Sequence, residues 1–520
     1  MHNNWGPRVG IAYQVAKDTV IRGGYGITYL PSNSGYFASP VDYGTSNFSS
    51  GTMQQPYGLN PSGVPAIHSY DNTPLNIAVG ANPSAPSIFG VSEDKFDRHF
   101  KNGMAQQWNV FVERTFARAW FLSVGYSASH SSNLMNRAYN INSLQIIDPT
   151  VLAGWRTQYI ANNGTTNPAS VQITNPYQPT SGSLLGFTGE LGGKTLTQQY
   201  AYYKYPLLGP LQMTFSKAWA GYHSLQVRFM HAFAHGFHMD LNYTWSKEID
   251  NTDNMEDNQG YNSGGTAAAP DFTNFSNNRR LGFSDIPHRF AGTFLYDLPF
   301  GKGKPLEIQN RALQALVGDW QTGGSMTWQQ GTPFSVSGAN SGAALGRPDR
   351  VQGALLEVPM ELQHWYDGNT KVTLPDGRVI QPAMNTYLKY YEGAWSGRVL
   401  QMANGSYVPD VYWWGTAAQT FDQMRGPGRF NIDFSLRRTF QIRERFKLEF
   451  AANATNLLNN TQLAANYSGA LGGTNTAVNA ANGLKPGMGA NGNTFGTLSL
   501  SSTGSVFDPR QVVMNLRLRF

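Results

Sequence analysis

The chain has 520 residues, a net charge of +6 and no cysteine. The lack of cysteine excludes a disulfide scaffold and thiolate metal sites, and so small a charge excess without Lys or Arg runs excludes a nucleic-acid-binding arm. Charged residues make up only 13% of the chain, about half the share in a soluble protein. No apolar run reaches the roughly 18 residues of a transmembrane helix.

Segments in which every second residue is apolar recur along the chain. The clearest is FHMDLNYTWS, which begins at Phe237. This alternation predicts a strand with one apolar and one polar face. We predict about eleven such strands, near 5–15, 19–30, 104–116, 119–128, 219–233, 237–246, 287–298, 316–330, 429–440, 445–455 and 511–520. Most have the roughly 9–11 residues with which a tilted strand crosses a bilayer.

The connections between these strands alternate between short and long. Short ones fall at 16–18, 117–118, 234–236 and 441–444, with a medium one at 299–315. Long ones fall at 31–103, 129–218, 247–286, 331–428 and 456–510. Long connections are unusual inside a compact soluble domain. Their alternation with tight turns predicts an antiparallel transmembrane β-barrel with long extracellular loops.

A soluble β-sandwich also produces alternating strands, so it is the first alternative. Two features favour the barrel. The side chains on the polar side of the strands are small and mostly uncharged, as in a crowded aqueous lumen. The side chains on the apolar side are bulky, and this side often ends in an aromatic residue, as in the aromatic girdles of membrane barrels. These aromatic residues are Tyr29, Trp108, Tyr243, Trp245, Trp320 and Trp328.

The last strand keeps its alternation to the end of the sequence. Leu516, Leu518 and Phe520 fall in one phase, with arginines between them. A final strand that ends on an aromatic residue resembles the assembly signal of bacterial outer-membrane proteins. The barrel assembly machinery and outer-membrane lipid are therefore predicted partners.

Several segments carry a resemblance to a known family, among them GYHSLQVRFMHAFAHGFHMDLNYTWSKEIDN at 221–251, DIPHRFAGTFLYDLPFGKGK at 285–304 and WQTGGSMTWQQGTPFSV at 320–336. Together they resemble TonB-dependent receptors of the Oar-like type, which are common in acidobacteria and myxobacteria. The resemblance implies a barrel of twenty-two strands in the outer membrane of a Gram-negative, acidobacterial cell, a size associated with plugged transporters. It also implies a plug and an inner-membrane TonB complex that pulls on an amino-terminal segment.

We expect residues 1–520 to be the carboxy-terminal portion of such a receptor barrel domain. The sequence contains neither a plug nor a TonB-binding segment, and eleven strands are half of twenty-two. An odd number also places the first and last strands in the same direction, so that closing them on each other makes a parallel seam, against the rule for bacterial barrels. We expect the plug, the coupling region and the remaining strands to lie outside this sequence.

Candidate functional residues fall in the lumen and in the loops. Charges predicted to face the lumen, and to pair with one another or with a plug, are Arg22, Glu113, Arg228, Asp240, Arg289 and Asp433. Tyr412, Trp413 and Trp414 lie in the longest outer loop, where aromatic side chains stack on a ligand or hold the loop together. An acidic run offers weak calcium ligands without EF-hand spacing: Asp250, Asp253, Glu256 and Asp257.

No enzyme motif or cofactor site is predicted. The segment GELGGKT at 189–195 is one residue short of phosphate-loop spacing and follows no buried strand. The leading hypothesis is therefore energised transport of a large solute by a TonB-dependent receptor. The alternatives are a passive porin-like pore or a surface adhesion barrel without energy coupling, and a soluble multi-sheet binding protein.

Overall fold

The structure is a computed structural model. It describes residues 4–30, 93–96, 99–117, 119–138, 142, 147–177, 191, 193–204, 206, 211–251, 274–336, 347–375, 377, 379–382, 384–396, 399–412, 415–443, 446–461, 463, 467, 497–499 and 509–520.

One antiparallel sheet dominates the fold, and its long strands follow one another in chain order. They are β1 (Arg8–Ala16), β2 (Thr19–Leu30), β3 (Gly103–Phe116), β4 (Trp120–Ala138), β5 (Leu211–Ala234), β6 (Phe237–Asp250), β7 (His288–Asp297), β8 (Trp320–Gln329), β9 (Arg429–Arg443), β10 (Phe446–Thr455) and β11 (Gln511–Arg519). Each strand hydrogen-bonds to the next one in the chain. The predicted antiparallel all-β fold is confirmed.

Several strand boundaries differ from the predicted ones; β6, for example, reaches Asp250 and β9 reaches Arg443, beyond the predicted ends at 246 and 440. β4 and β5 extend further at the loop end than predicted, and they remain paired there across register shifts. The predicted start of the eighth strand at 316 is wrong, because Arg311–Val317 is helical and the strand begins at Trp320. The connection that precedes β8 therefore contains a helix.

Short elements occupy the connections. The helices are α1 (Pro149–Ala161), α2 (Gln198–Ala201) and α3 (Arg311–Val317), with 3-10 turns at Pro168–Ser170, Phe275–Asn278, Met360–Leu362 and Glu392–Ala394. The short strands are Glu93–Phe96, Gln172–Thr174, Thr195–Thr197, Arg280–Leu281, Asp349–Arg350, Trp365–Tyr366, Val372–Thr373, Val379–Ile380, Thr386–Leu388, Trp395–Ser396, Val399–Gln401, Tyr407–Pro409 and Thr497–Ser499. Among the described residues, no helix has the length and apolar character needed to cross a membrane.

The tight turns all lie at one end of the sheet, which we call the turn end. The turn between β5 and β6 shows why the chain reverses there. His235 and Gly236 have φ values of +50° and +77°. A two-residue hairpin loop with positive φ at both positions matches the twist of the flanking strands. The long connections lie at the opposite end, the loop end.

The strand register divides the sheet into two unlike faces. Directly paired residues of neighbouring strands project from the same side of a sheet. In the middle of the sheet, Leu241 on β6 pairs with Phe229 on β5 and with Gly292 on β7. The adjacent Asn242 pairs with Arg228 and Ala291. We call the side of Leu241 the apolar face and the side of Asn242 the polar face.

In the described part of the chain, no second wide sheet covers the apolar face. Large side chains on this face remain more than a third exposed: Tyr25, Val110, Val112, Val124, Tyr126, Leu225, Trp245, Phe294 and Trp328. Buried apolar clusters lie instead in the loops. One is built around Phe334, Tyr390 and Trp395, and another around Trp155, Tyr159 and Tyr412. Stacked sheets of a soluble sandwich bury their apolar faces against each other. The exposed apolar face of this sheet therefore differs from that of a sandwich.

Candidate functional site

The six charges predicted to face a lumen all lie on the polar face. The register brings four of them together as two pairs. Arg22 on β2 lies 2.9 Å from Glu113 on β3, and Arg228 on β5 lies 2.6 Å from Asp240 on β6. Each pair joins neighbouring strands and satisfies both charges within the wall. Such pairs fix the side chains in place, although exposed ion pairs contribute little stability.

The other two predicted charges are not paired with each other. Asp433 on β9 accepts hydrogen bonds from Asn431 Nδ2 at 2.9 Å and from the backbone N–H of Asn456 at 3.0 Å. Arg289 on β7 stands between Thr244 and Gln329 in the register of the sheet. Asp433 therefore holds the loop end of β10 against β9.

Sequence reasoning did not single out a third charge pair on the polar face. Arg519 on β11 lies 2.7 Å from Glu449 on β10. Both residues stand in the polar phase of their strands, so the alternation itself was the signal that could have found them. Arg437 on β9, which donates to Gln321 on β8, extends the row of polar contacts.

Two long connections form a folded cap at the loop end. Helix α1 begins after Asp148, whose Oδ1 accepts from the N–H of Thr150 at 2.7 Å, with Pro149 at the first helical position. Its buried side chains Leu152, Trp155 and Tyr159 lie along one side. They pack against Leu400, Met402 and Tyr412 of the connection between β8 and β9. We call this assembly the loop cap.

An ion pair with a buried carboxylate also joins the two connections of the loop cap. Arg156 Nε on α1 lies 2.8 Å from Asp410 Oδ2, whose side chain is almost completely buried. Asp410 Oδ1 also accepts from the N–H of Tyr412 at 3.1 Å. The carboxylate is therefore bonded on both oxygens, which compensates for its burial.

Tyr412, a predicted ligand contact, is part of the core of the loop cap. Its ring packs against Trp155 and Tyr159, and its hydroxyl donates to Asn167 Oδ1. Burial raises the pKa of Tyr412 to about 12. Its ring and hydroxyl are thus engaged in packing, the alternative role considered above. Trp413 and Trp414 lie outside the described residues.

Asp250 is the one described member of the acidic run, and it forms an ion pair. Asp250 Oδ1 lies 2.8 Å from Arg280 Nε, and both side chains are buried. Asp253, Glu256 and Asp257 lie outside the described residues. Among the residues that the structure does describe, no group of three or more acidic or His side chains could hold a metal ion.

The segment 415–428 is clamped onto the rim of the sheet at the loop end. Arg425 Nη2 lies 2.5 Å from Asp285 Oδ2, and Asp285 Oδ1 accepts from the N–H of Glu248 at 2.6 Å. Arg425 also bonds to Asp422, and this hydrogen bond lowers the pKa of that carboxyl. Thr420 donates to the backbone of Leu281 at 2.7 Å. The loop cap is therefore fixed to the hairpin of β6 and β7.

A cavity of about 590 Å³ opens below this clamp, on the apolar side of the wall. Its lining combines aromatic and His side chains of the sheet with charged residues of the clamp: Tyr126, His223, Trp245, His288, Asp422 and Arg425. Tyr126 hydrogen-bonds to His223 Nδ1 at 2.5 Å.

Two bands of aromatic and His side chains cross the apolar face. The loop-end band contains Trp108, Tyr126, His223, Tyr243, Trp245, His288 and Trp328. The turn-end band contains Phe116, Trp120, His231, Phe237, Tyr296, Trp320 and Phe440. Along β6 the bands are eight positions apart, or roughly 20 Å in height for a tilted strand.

The three residues of the predicted assembly signal stand at the free edge of the sheet. Leu516 pairs with Phe450, and Leu518 pairs with Leu448, all on the apolar face. Phe520 is almost fully exposed. Recognition by the assembly machinery stays a prediction.

A wide antiparallel sheet with an exposed apolar face between two aromatic bands is the wall of a membrane β-barrel. The chain belongs to the family of the outer membrane beta barrel domain, which matches residues 1–512. Its location is thus the outer membrane of a Gram-negative bacterium. The predicted barrel class and location are confirmed at this level.

Solved structures that resemble the chain share little sequence with it. The receptor FpvA of Pseudomonas aeruginosa, bound to a heterologous pyoverdine, is 10% identical, with a TM-score of 0.36 and coverage of 99% of this chain and 32% of that chain. The outer membrane transporter YddB of Escherichia coli is 9% identical, with a TM-score of 0.35 and coverage of 97% and 38%. The chain thus spans about a third of the length of these proteins. Likeness at these scores assigns no function.

No curated protein sequence matches the chain.

Proposed function

We propose that the chain forms the carboxy-terminal part of the wall of a TonB-dependent receptor barrel, and that the whole protein moves a large solute across the outer membrane. In this proposal the sheet is the rigid wall and the loop cap is the selective part. Energy coupling comes from a plug and a TonB-binding region, as the resemblance to Oar-like receptors implies.

The observation that carries the proposal is the pair of open sheet edges. In the described part of the chain, β1 pairs only with β2, and β11 pairs only with β10. Unpaired backbone groups cost several kcal/mol each in hydrocarbon, so both edges need partners. With eleven alternating strands, β1 and β11 point in the same direction. Antiparallel closure therefore requires an odd number of further strands, and a barrel of twenty-two strands supplies them.

The polar face supports the same proposal. Its Arg–carboxylate pairs give the wall a hydrated interior with fixed charges. Charges in such a lumen are compensated by one another or by a domain inside the barrel. A plug is the partner that a receptor of this type provides.

A passive pore or an adhesion barrel is the second candidate, and the loop cap favours it. The cap has its own buried core and is fixed to the rim, so it can serve as a binding surface without energy coupling.

The test uses the complete product of the gene, including any residues encoded before Met1. We expect it to bind the periplasmic domain of TonB and to show no steady conductance in planar bilayers, because a plug fills the lumen. Open-channel conductance without TonB binding would identify the passive pore. A closed barrel that neither conducts nor binds TonB would identify the adhesion protein.

A further inference from the structure

The connection between β7 and β8 differs from the other turn-end connections because it contains helix α3. The chain enters the helix through Asn310, whose Oδ1 accepts from the N–H groups of Ala312 at 2.9 Å and Leu313 at 3.1 Å. This cap satisfies two of the free donors at the start of the helix. The start of helix α3 is therefore stabilised by its own cap.

Helix α3 lies on the apolar side of the wall. Arg438 on β9 pairs with Trp320 in the apolar face. Its Nη1 donates to the carbonyl of Ala315 at 2.7 Å and its Nη2 to that of Gln314 at 2.9 Å. Carbonyl groups at the end of a helix carry partial negative charge, which suits a guanidinium. These bonds leave Arg438 only 6% exposed, although it stands on the face that meets lipid.

Helix α3 and the residues that precede it expose three leucines. Leu306 is 53% exposed, Leu313 is 49% exposed and Leu316 is 72% exposed. Leu313 and Leu316 are three positions apart, so they lie on the same side of the helix. Trp320, in the turn-end band, donates its indole N–H to the carbonyl of Leu316 at 3.0 Å. The leucines are thus continuous with the band that marks the membrane boundary.

Two lysines precede the helix. Lys302 is exposed, and Lys304 is held only loosely by Asp297, at 3.7 Å. Leucines beside cationic side chains are typical of segments that lie in the membrane interface. Apolar side chains enter the acyl boundary there, while the cations meet lipid phosphates.

We propose that the connection between β7 and β8 is an in-plane membrane anchor that binds anionic phospholipid in the leaflet at the turn end. Leu306, Leu313 and Leu316 insert at the edge of the hydrocarbon, and Lys302 and Lys304 bind the lipid phosphates. Arg438 is a positioning residue, because it holds α3 against the wall at this depth. The anchor rests on the proposed function, in which the apolar face of the sheet meets lipid.

The lack of cysteine in the chain permits a direct test. The variants Leu313→Cys and Leu316→Cys are labelled with a fluorophore in the full chain, which is then reconstituted into vesicles with spin-labelled lipid as quencher. Leu516→Cys on the apolar face of β11 is the reference for a residue in lipid. Leu355→Cys, which is exposed in the connection between β8 and β9, is the reference for water.

We expect quenching at both helix positions to approach that at Leu516→Cys and to exceed that at Leu355→Cys. Values equal to those at Leu355→Cys would overturn the anchor while leaving the proposed function intact, provided that Leu516→Cys is quenched. If Leu516→Cys is not quenched either, the proposed function fails together with the anchor.

The lipid class is tested by vesicle composition. Quenching at Leu316→Cys is compared in phosphatidylcholine vesicles and in vesicles with added phosphatidylglycerol. We expect phosphatidylglycerol to increase the quenching at Leu316→Cys. Each of Lys302→Gln and Lys304→Gln should weaken the attraction of the connection to anionic lipid about fivefold. Quenching that is the same in both vesicles would overturn the binding of anionic lipid.

Discussion

At the scale of single residues, the buried carboxylate of Asp410 depends on its bonds within the loop cap. Its partner Arg156 is 42% exposed, so water partly screens the ion pair. We expect Arg156→Met to destabilise the cap by about 2 kcal/mol, less than the 3–5 kcal/mol of a fully buried pair. Hydrogen exchange of the amides of α1 measures this change.

Lys247→Met is the matched control for Arg156→Met. Lys247 lies 3.7 Å from Asp422, with both side chains about half exposed. We expect this variant to change the stability by less than about 0.5 kcal/mol. Equal effects of the two substitutions would contradict the assigned role of Asp410.

Two buried tyrosines should make the loops sensitive to alkaline pH. Burial raises the pKa of Tyr390 and of Tyr412 to about 12 in the folded protein. Because the folded pKa is raised, the stabilisation is complete below the unfolded pKa of about 10 and is lost as the pH rises towards 12. We expect a loss of about 2–3 kcal/mol for each tyrosine by pH 12. Circular dichroism and phenolate absorbance follow this transition.

The variants Tyr390→Phe and Tyr412→Phe serve as controls, because they remove the titrating hydroxyl. With both substitutions, the alkaline transition should move to higher pH. An unchanged transition would show that other groups cause it.

At the scale of elements, β6 allows a direct comparison of the two faces. Leu241 stands midway between Phe237 and Trp245 on the apolar face, and Asn242 beside it stands on the polar face. We expect Leu241→Arg to destabilise the barrel by about 2–4 kcal/mol, because it places a charge in the middle of the hydrocarbon. Asn242→Arg should cost less, because its charge stays on the hydrated polar face, even though it stands opposite Arg228. Denaturant unfolding in lipid vesicles measures both variants, and a larger loss for Asn242→Arg would reverse the assignment of the faces.

The sequence predicted the long strands well because their signal is local. Alternation along β6 or β9 reflects two solvents, and it is visible within about ten residues. Helix α1 was missed, although Asp148, Pro149 and the spacing of Leu152, Trp155 and Tyr159 were available signals. The pattern predicts the connection that contains it only as a loop.

The core of the loop cap could not be predicted in the same way. The contact between Tyr412 and Asn167 joins positions 245 residues apart. No periodic pattern connects them, so the residues alone allowed both ligand contact and packing for Tyr412. Helix α3 was missed for a related reason, because its position depends on Arg438 on a distant strand.

At the scale of the whole molecule, the open edges predict that β1 and β11 do not close on each other. Cysteine pairs that combine Val9, Ile11 or Tyr13 with Met514 or Leu516 test this directly. We expect no intramolecular disulfide under mild oxidation, because the two strands point the same way and need further strands between them. Electrophoresis without reducing agent detects any cross-link.

The pair Tyr13→Cys and Ile21→Cys is the positive control, because these residues face each other in the hairpin of β1 and β2. It should form a disulfide readily. Efficient cross-linking of β1 to β11 would instead establish a barrel closed by this chain alone.

The link between α1 and the connection that precedes β9 also limits how such a protein can exchange these connections with its relatives. Arg156 lies in one connection, and its counter-ion Asp410 lies in another. A graft of either stretch alone separates the charge from its partner and Tyr412 from its hydrogen-bond acceptor. Swapped connections should therefore fold only as a matched set, so that recombination has to carry both stretches at once.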